Sequence, residues 1–198
     1  MGQKPSLNET LHQCVYGRDK EGVAQIFRDH ASDINSSVLD DKIYYQLILQ
    51  QWDSDTLCRF AKLANDDQLA ILIAGAVLHS HVVPLAPLFE LMRDRERTIE
   101  QHQLKHLFLA VCERENMDAV RVFIDNKCYD PSDARPIRAV VRAQLNKSRV
   151  NEELLEMILS AHPQQIDNVQ SIRTKYLSDA KNDEVRKVID NHLFKYVP

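Results

Sequence analysis

A seven-residue pattern recurs six times along this chain at nearly constant spacing. It runs acidic or small residue, any residue, apolar residue, two of any kind, then two mostly apolar residues. The copies occupy 21–27, 55–61, 86–92, 118–124, 153–159 and 183–189. Their central apolar residues are Val23, Leu57, Leu88, Val120, Leu155 and Val185, separated by steps of 34, 31, 32, 35 and 30 residues. Self-similarity at a period of about 20–50 residues marks a chain built by stacking one small unit, because a unit of that size cannot bury its own apolar face. Such stacks bind through extended surfaces, so the pattern points to an interaction scaffold and is silent on the partner.

Apolar residues at i, i+3 and i+4 within each copy line one side of a helix. A second apolar helix precedes each copy. Leu11, Cys14 and Val15 mark the first, Ile43, Tyr44, Leu47 and Ile48 the second, and 69–77 the third. Segments 107–112 and 137–141 and the set Ile172, Tyr176 and Leu177 mark the remaining three. The expected fold is therefore all-α, a helical-repeat solenoid of about six antiparallel helix pairs. Turn-rich segments at 33–37, 65–67, 130–136 and 163–168 separate the pairs. Pro84 sits where a helix can begin. Extra residues at 144–151 hold apart the two helices of the fifth pair. The expected organisation is a flexible N-terminus over 1–6 and a single helical-repeat domain over 7–198, with polar cap faces at both ends.

Two of the six units carry a family resemblance. Leu11-His12-Gln13-Cys14-Val15, then Glu21-Gly22-Val23-Ala24-Gln25-Ile26-Phe27, then Ala31-Ser32-Asp33-Ile34-Asn35 resembles the L-H-x-A-A, E-V-V-x-x-L-L and G-A-D-I-N signatures of ankyrin repeats. The fourth unit is similar, with Leu107-Phe108-Leu109-Ala110-Val111, then 118–124, then Asp130-Pro131-Ser132-Asp133. That last turn resembles one seen in divergent microbial and amoeba-associated ankyrin proteins. No T-P-L-H tetrapeptide occurs and the chain has only four glycines. Glycine supplies positive φ in such turns, so the finger loops of this chain are expected to be shortened or replaced. A HEAT- or TPR-like solenoid is the alternative architecture. The resemblance implies a protein-binding scaffold or adaptor, and its style implies a bacterial effector acting in the host cytosol.

In ankyrin-like arrays the partner meets the finger loops and the exposed end of each first helix. Carried over residue by residue, this implies partner contacts at Tyr16, Trp52, His79, Glu113, Arg114 and Arg142. Trp52, the only tryptophan, has two readings: an interface anchor or a plug in the gap between neighbouring repeats. Arg135, Arg138, Arg142, Lys147 and Arg149 form a basic stretch with no acid between Asp133 and Glu152. Arg138 and Arg142 share a helix face, and paired guanidinia suit carboxylate or phosphate. The plainer reading is a solvated face paired with acids of a neighbouring repeat.

Other chemistries find little to stand on. His102 and His106 have the spacing of paired metal ligands, but no third ligand accompanies them in the pattern. Cys14 beside His12 specifies no nucleophile–base–orienter set. No enzyme activity and no cofactor are expected. The net charge of −4 argues against nucleic acid as a partner. Residues 1–67 carry 7 Lys/Arg against 11 Asp/Glu, so the acidic bias lies at the front. No apolar run approaches the ~18 residues of a membrane span, and the four scattered cysteines suit a reducing cytoplasm. Met1-Gly2-Gln3-Lys4-Pro5-Ser6 matches the acceptor pattern for N-myristoylation at Gly2. A membrane-associated adaptor, anchored by that acyl chain and the basic patch, is the alternative function.

Overall fold

The computed structural model describes residues 5–34, 39–94, 101–163, 166–177 and 182–195. Twelve α-helices and no strand occur among them. The chain divides into two compact units, Met1–Ile99 and Glu100–Pro198. The first holds α1 (Leu7–Tyr16), α2 (Lys20–Asp29), α3 (Asp41–Leu49), α4 (Ser54–Leu63), α5 (Asp66–Leu78) and α6 (Leu85–Asp94). The second holds α7 (Gln101–Glu113), α8 (Met117–Asp125), α9 (Arg135–Gln144), α10 (Glu152–Ala161), α11 (Ile166–Tyr176) and α12 (Asp183–Lys195).

Each recurring heptad lies in an even-numbered helix, and its apolar positions face inward. Val23, Leu57, Leu88, Val120, Leu155 and Val185 are all buried. The preceding helices bury the residues their own periodicity selects, such as Leu11 and Val15 on α1 and Ile43, Tyr44, Leu47 and Ile48 on α3. In the first unit α1 packs on α2 and α3, α3 on α5, and α4, α5 and α6 on one another. In the second, α7 packs on α8 and α9, α9 on α10 and α11, and α12 on α10 and α11, with α8 against α10. Within each unit, odd-numbered helices thus neighbour one another in one layer and even-numbered helices in the other.

Local chemistry fixes the ends of these helices. Ser6, Asp19, Asp40, Asp53, Asn65, Asn116 and Asn151 are N-caps whose side chains accept a backbone N–H of the first turn, which pairs a donor that the helix cannot. The C-terminal ends of α1, α3, α5 and α7 share one turn. The positive-φ residues of these four turns are Arg18 (57°), Gln51 (50°), Ser80 (55°) and Glu115 (52°), and Lys127 (56°), after α8, is the fifth such residue among the described ones. In each case the next residue donates its N–H five residues back: Asp19 to Cys14 O, Trp52 to Leu47 O, His81 to Ala76 O and Asn116 to Val111 O. This is the Schellman closure, which favours glycine at the left-handed position. Here other residues occupy it, and Gly17 beside Arg18 is right-handed at φ −78°. The glycines missing from the sequence are therefore replaced within the hairpin turns without loss of the turn. Between hairpins, only Ala64 and Asn65 separate α4 from α5, too few for a finger loop there.

The long connection in the fifth pair is pinned by one buried side chain. Gln144 is fully buried. Its Oε1 accepts from Asn151 N (2.9 Å) and its Nε2 donates to Asn151 O (3.3 Å). Asn151 then caps α10 through Leu154 N, so the amide closes the loop at the point where the next helix starts.

Candidate partner-binding face

Hydrogen bonds tie α1 to α3 at their turn ends and α3 to α5 at their starts. At the turn end, Arg18 Nη2 donates to Gln50 O (3.1 Å) and Gln50 Nε2 donates to Tyr16 O (3.3 Å). At the other end, Gln68 Nε2 donates to Leu39 O (2.8 Å) and to Asp41 Oδ1 (3.3 Å). Gly75 makes the close approach of α5 to α3 possible, since a Cβ there would lie 2.9 Å from Ile48 Cγ2.

The outer side of this layer is apolar where a solvated face would be polar. Tyr16 is 47% exposed, Tyr45 50%, Leu49 40% and Leu78 51%. These are four of the six large exposed hydrophobic residues among the described ones, so the apolar surface is concentrated, not scattered. Tyr16, Leu49 and Leu78 each stand two residues before a positive-φ residue, Arg18, Gln51 and Ser80. They occupy one position of the hairpin in three successive copies and form a ladder across the layer. A shallow cleft of about 440 Å³ is lined by Tyr16, Asp41, Lys42, Tyr45, Gln46 and Ile71. A second, of about 360 Å³, shares Tyr16 and Lys42 and adds His12, Gln13 and Asp40.

Of the contacts implied by the family resemblance, Tyr16 lies in both clefts. Trp52 does not serve as a surface anchor. It is 1% exposed, with its Nε1 donating to Gln50 Oε1 (3.0 Å) and Lys20 Nζ 6.0 Å from its ring. The turn bond from Trp52 N to Leu47 O folds the residue back under the end of α3, where an indole of this size is stabilised by packing. The plug reading is the one its burial supports. His79 is exposed at the C-cap of α5.

The second unit presents charge where the first presents apolar surface. Glu113 stands two residues before the positive-φ Glu115, at the ladder position, and is exposed beside exposed Arg114. Glu113 and Arg142 line one shallow cleft of about 340 Å³ with Ala139, Ala143 and Asn146. Arg138 is exposed on the same helix but does not line that cleft. Part of the basic stretch is neutralised locally: Arg135 pairs with Asp133 and Lys147 with Glu115. Nearby, Lys105 and the Ser132 hydroxyl and N–H hold the Asp130 carboxyl down at about 2.

Cys112 and His162 are buried. Burial pushes the Cys112 thiol far up. Partial burial and the Asp19 carboxylate raise Cys14, whose Sγ points to Asp19 at 3.8 Å. His12 instead stacks on Tyr16 and lies 3.7 Å from Asp40, so His12 and Cys14 do not form a pair. His162 is buried against Phe108 and Tyr129. Its Nδ1 donates to Ile158 O at 2.8 Å, leaving Nε2 without a hydrogen-bond partner. Burial pulls its pKa below the ordinary value, against the opposing Ile158 carbonyl and the charges of Asp133 and Asp130. Among the described residues no three His, Cys, Asp or Glu side chains are grouped to hold a metal ion, and no helix is long and apolar enough to cross a membrane. The His102 side chain and Gly2 lie outside the described residues.

Tyr45, Leu49, Leu78, Asp41 and Lys42 are the residues of this face that the heptad pattern did not select. The pattern follows the even-numbered helices, whereas the face belongs to the odd-numbered ones. The available signal was an apolar residue on the outer phase of three consecutive first helices, visible only once the hairpin turns set the register. Compared with protein-family models, with curated proteins and with solved structures, the chain matches none.

Proposed function

We propose that this protein is a protein-binding scaffold, built within each unit as an ankyrin-like stack of helical hairpins, and that a partner protein docks on the outer face of α1, α3 and α5. The observation that carries the reading is the ladder of Tyr16, Leu49 and Leu78 at one hairpin position, with Tyr45 beside it. Contiguous exposed apolar surface on a soluble chain is costly unless something covers it, and tyrosine is among the residues that dominate interface energetics. The layering of odd- and even-numbered helices supports the array reading. The hairpins differ from the ankyrin pattern in their non-glycine turns and in the two-residue link between α4 and α5.

The test compares proteins retained from a eukaryotic lysate by the full chain and by a Tyr45→Ser/Leu49→Ser variant. Both residues are at least two-fifths exposed, so the variant is expected to melt like the wild type. A protein held by the wild type and lost from the variant supports the reading. Identical sets of retained proteins on both chains would sink it.

A further inference from the structure

We infer that the occupant of the face formed by α1, α3 and α5 is an amphipathic α-helix with apolar residues along one side and lysine or arginine along one flank. The inference rests on the reading of that face as a binding surface. It starts from the direction of three stripes: Glu9, His12 and Tyr16 on α1, Asp41, Tyr45 and Leu49 on α3, and Asp67, Ile71 and Leu78 on α5. Spacings of three, four and seven residues keep the members of each stripe on one side of its helix. Every stripe runs from an acid near the helix start to a large apolar residue at its end. The bonds from Gln68 to Leu39 and Asp41 hold the starts of α3 and α5 together, and those of Arg18 and Gln50 hold the ends of α1 and α3 together. One edge of the face is therefore acidic and the opposite edge apolar.

Dimensions select the helix. Asp41 to Leu49 is a rise of about 12 Å along α3, close to the ~10–12 Å diameter of a helix with its side chains. Packed helices in a layer lie about 8–10 Å apart. A helix laid across them advances about 10.5 Å in seven residues, about 0.5–2.5 Å more than one rung, so one apolar side chain per two turns falls near each rung. An extended peptide repeats a given face every ~6.8 Å, about 1–3 Å short of each rung. Charge then orients the occupant. Asp40 and Asp41 line the clefts against Lys42, and Asp67 is exposed on the neighbouring helix. Glu9 accepts from the N–H and hydroxyl of Ser6 and Asp41 from Gln68 Nε2, and these two with Asp67 are the acids of the edge that a basic flank meets.

The experiment titrates the full chain with three fluorescent peptides of about 21 residues, long enough to be helical on their own. One carries leucines on a heptad stripe with a lysine flank, the second the same stripe with a glutamate flank, and the third is a scramble of the first. The lysine-flank peptide is expected to bind at least about tenfold more tightly than the other two, and Tyr45→Ser/Leu49→Ser to weaken it by at least about tenfold. Asp41→Asn/Asp67→Asn is expected to narrow the gap between lysine and glutamate flanks, as added salt does. Equal binding of the scramble, or binding untouched by Tyr45→Ser/Leu49→Ser, overturns the inference. So does sedimentation of the chain alone as a dimer that Tyr45→Ser/Leu49→Ser dissociates, because the occupant is then a second copy. If the peptides fail while a lysate protein is still lost from Tyr45→Ser/Leu49→Ser, the helix is wrong and the binding face stands.

Discussion

Replacing Ser80 by glycine is expected to stabilise the first unit, and the size of the gain follows from the turn. Ser80 sits at φ 55° with its N–H donated to Val77 O, at the left-handed position of the α5–α6 hairpin. A side chain at such a φ costs about 1–2 kcal/mol. Glycine removes that cost and gives back about 0.5–1 kcal/mol through the greater freedom of the unfolded chain. The net gain is about 0.5–1 kcal/mol. Ser80 is the cleanest of the four equivalent sites, since Arg18 bonds Gln50 O and Glu115 pairs with Lys147, so their replacement would also remove contacts. The assay is urea unfolding followed by the fluorescence of Trp52, the only tryptophan and a buried residue of the same unit. With a slope of about 1–3 kcal/mol per molar urea, the midpoint should rise by about 0.2–1 M. Gln25→Gly, at an exposed position within α2, is the control and should lose about 0.5–1 kcal/mol because its φ is helical. If Ser80→Gly is neutral, or falls as Gln25→Gly does, the shared left-handed turn is wrong.

Three further outcomes can be checked with circular dichroism. Trp52→Ala should cost about 3–5 kcal/mol, the usual loss for emptying a large buried aromatic site; a change below 1 kcal/mol would place the indole at the surface after all. Gln144→Met should cost about 1–3 kcal/mol by stranding the N–H of Asn151, and an unchanged urea midpoint would remove the clamp from the account of loop 145–151. His162 has its folded-state pKa pulled below the ordinary 6.5 by burial. The unfolded chain therefore takes up the proton first, and the stability that the neutral ring contributes is present above pH 6.5 and lost as pH falls through the lower folded value. The drop in urea midpoint between pH 7.5 and 5.5 should be smaller in His162→Phe than in the wild type, and an equal drop would assign the acid sensitivity elsewhere.

Much of the helix content was legible because it depends on neighbours in sequence. The spacing of Val23 and Ile26, or of Leu57, Phe60 and Ala61, is a local statement about one turn of helix, and all five are buried as that spacing requires. The N-caps Asp19, Asp53, Asn116 and Asn151 immediately precede helices whose inner faces carry the heptads. The hairpin turns were harder. A count of four glycines predicts altered loops, and yet Arg18, Gln51, Ser80 and Glu115 adopt the left-handed conformation. The closing hydrogen bonds and the packing of both flanking helices outweigh a strain of only about 1–2 kcal/mol.

The candidate site was the least legible part. Trp52 carries the residue type of an interface anchor, and nothing local distinguishes an indole that reaches solvent from one folded beneath the end of α3. Leu47, Ile48 and Leu49 are three consecutive apolar residues, of which the first two are fully buried and the third is 40% exposed. That difference is set by α1 and α5 on either side of α3. By itself the sequence determined that this chain is helical and which stripe of its even-numbered helices turns inward, because 3.6-residue periodicity acts over a few residues. Only the tertiary structure decided which outer stripes remain uncovered, because exposure depends on helices that are about thirty residues away in the chain and adjacent in space.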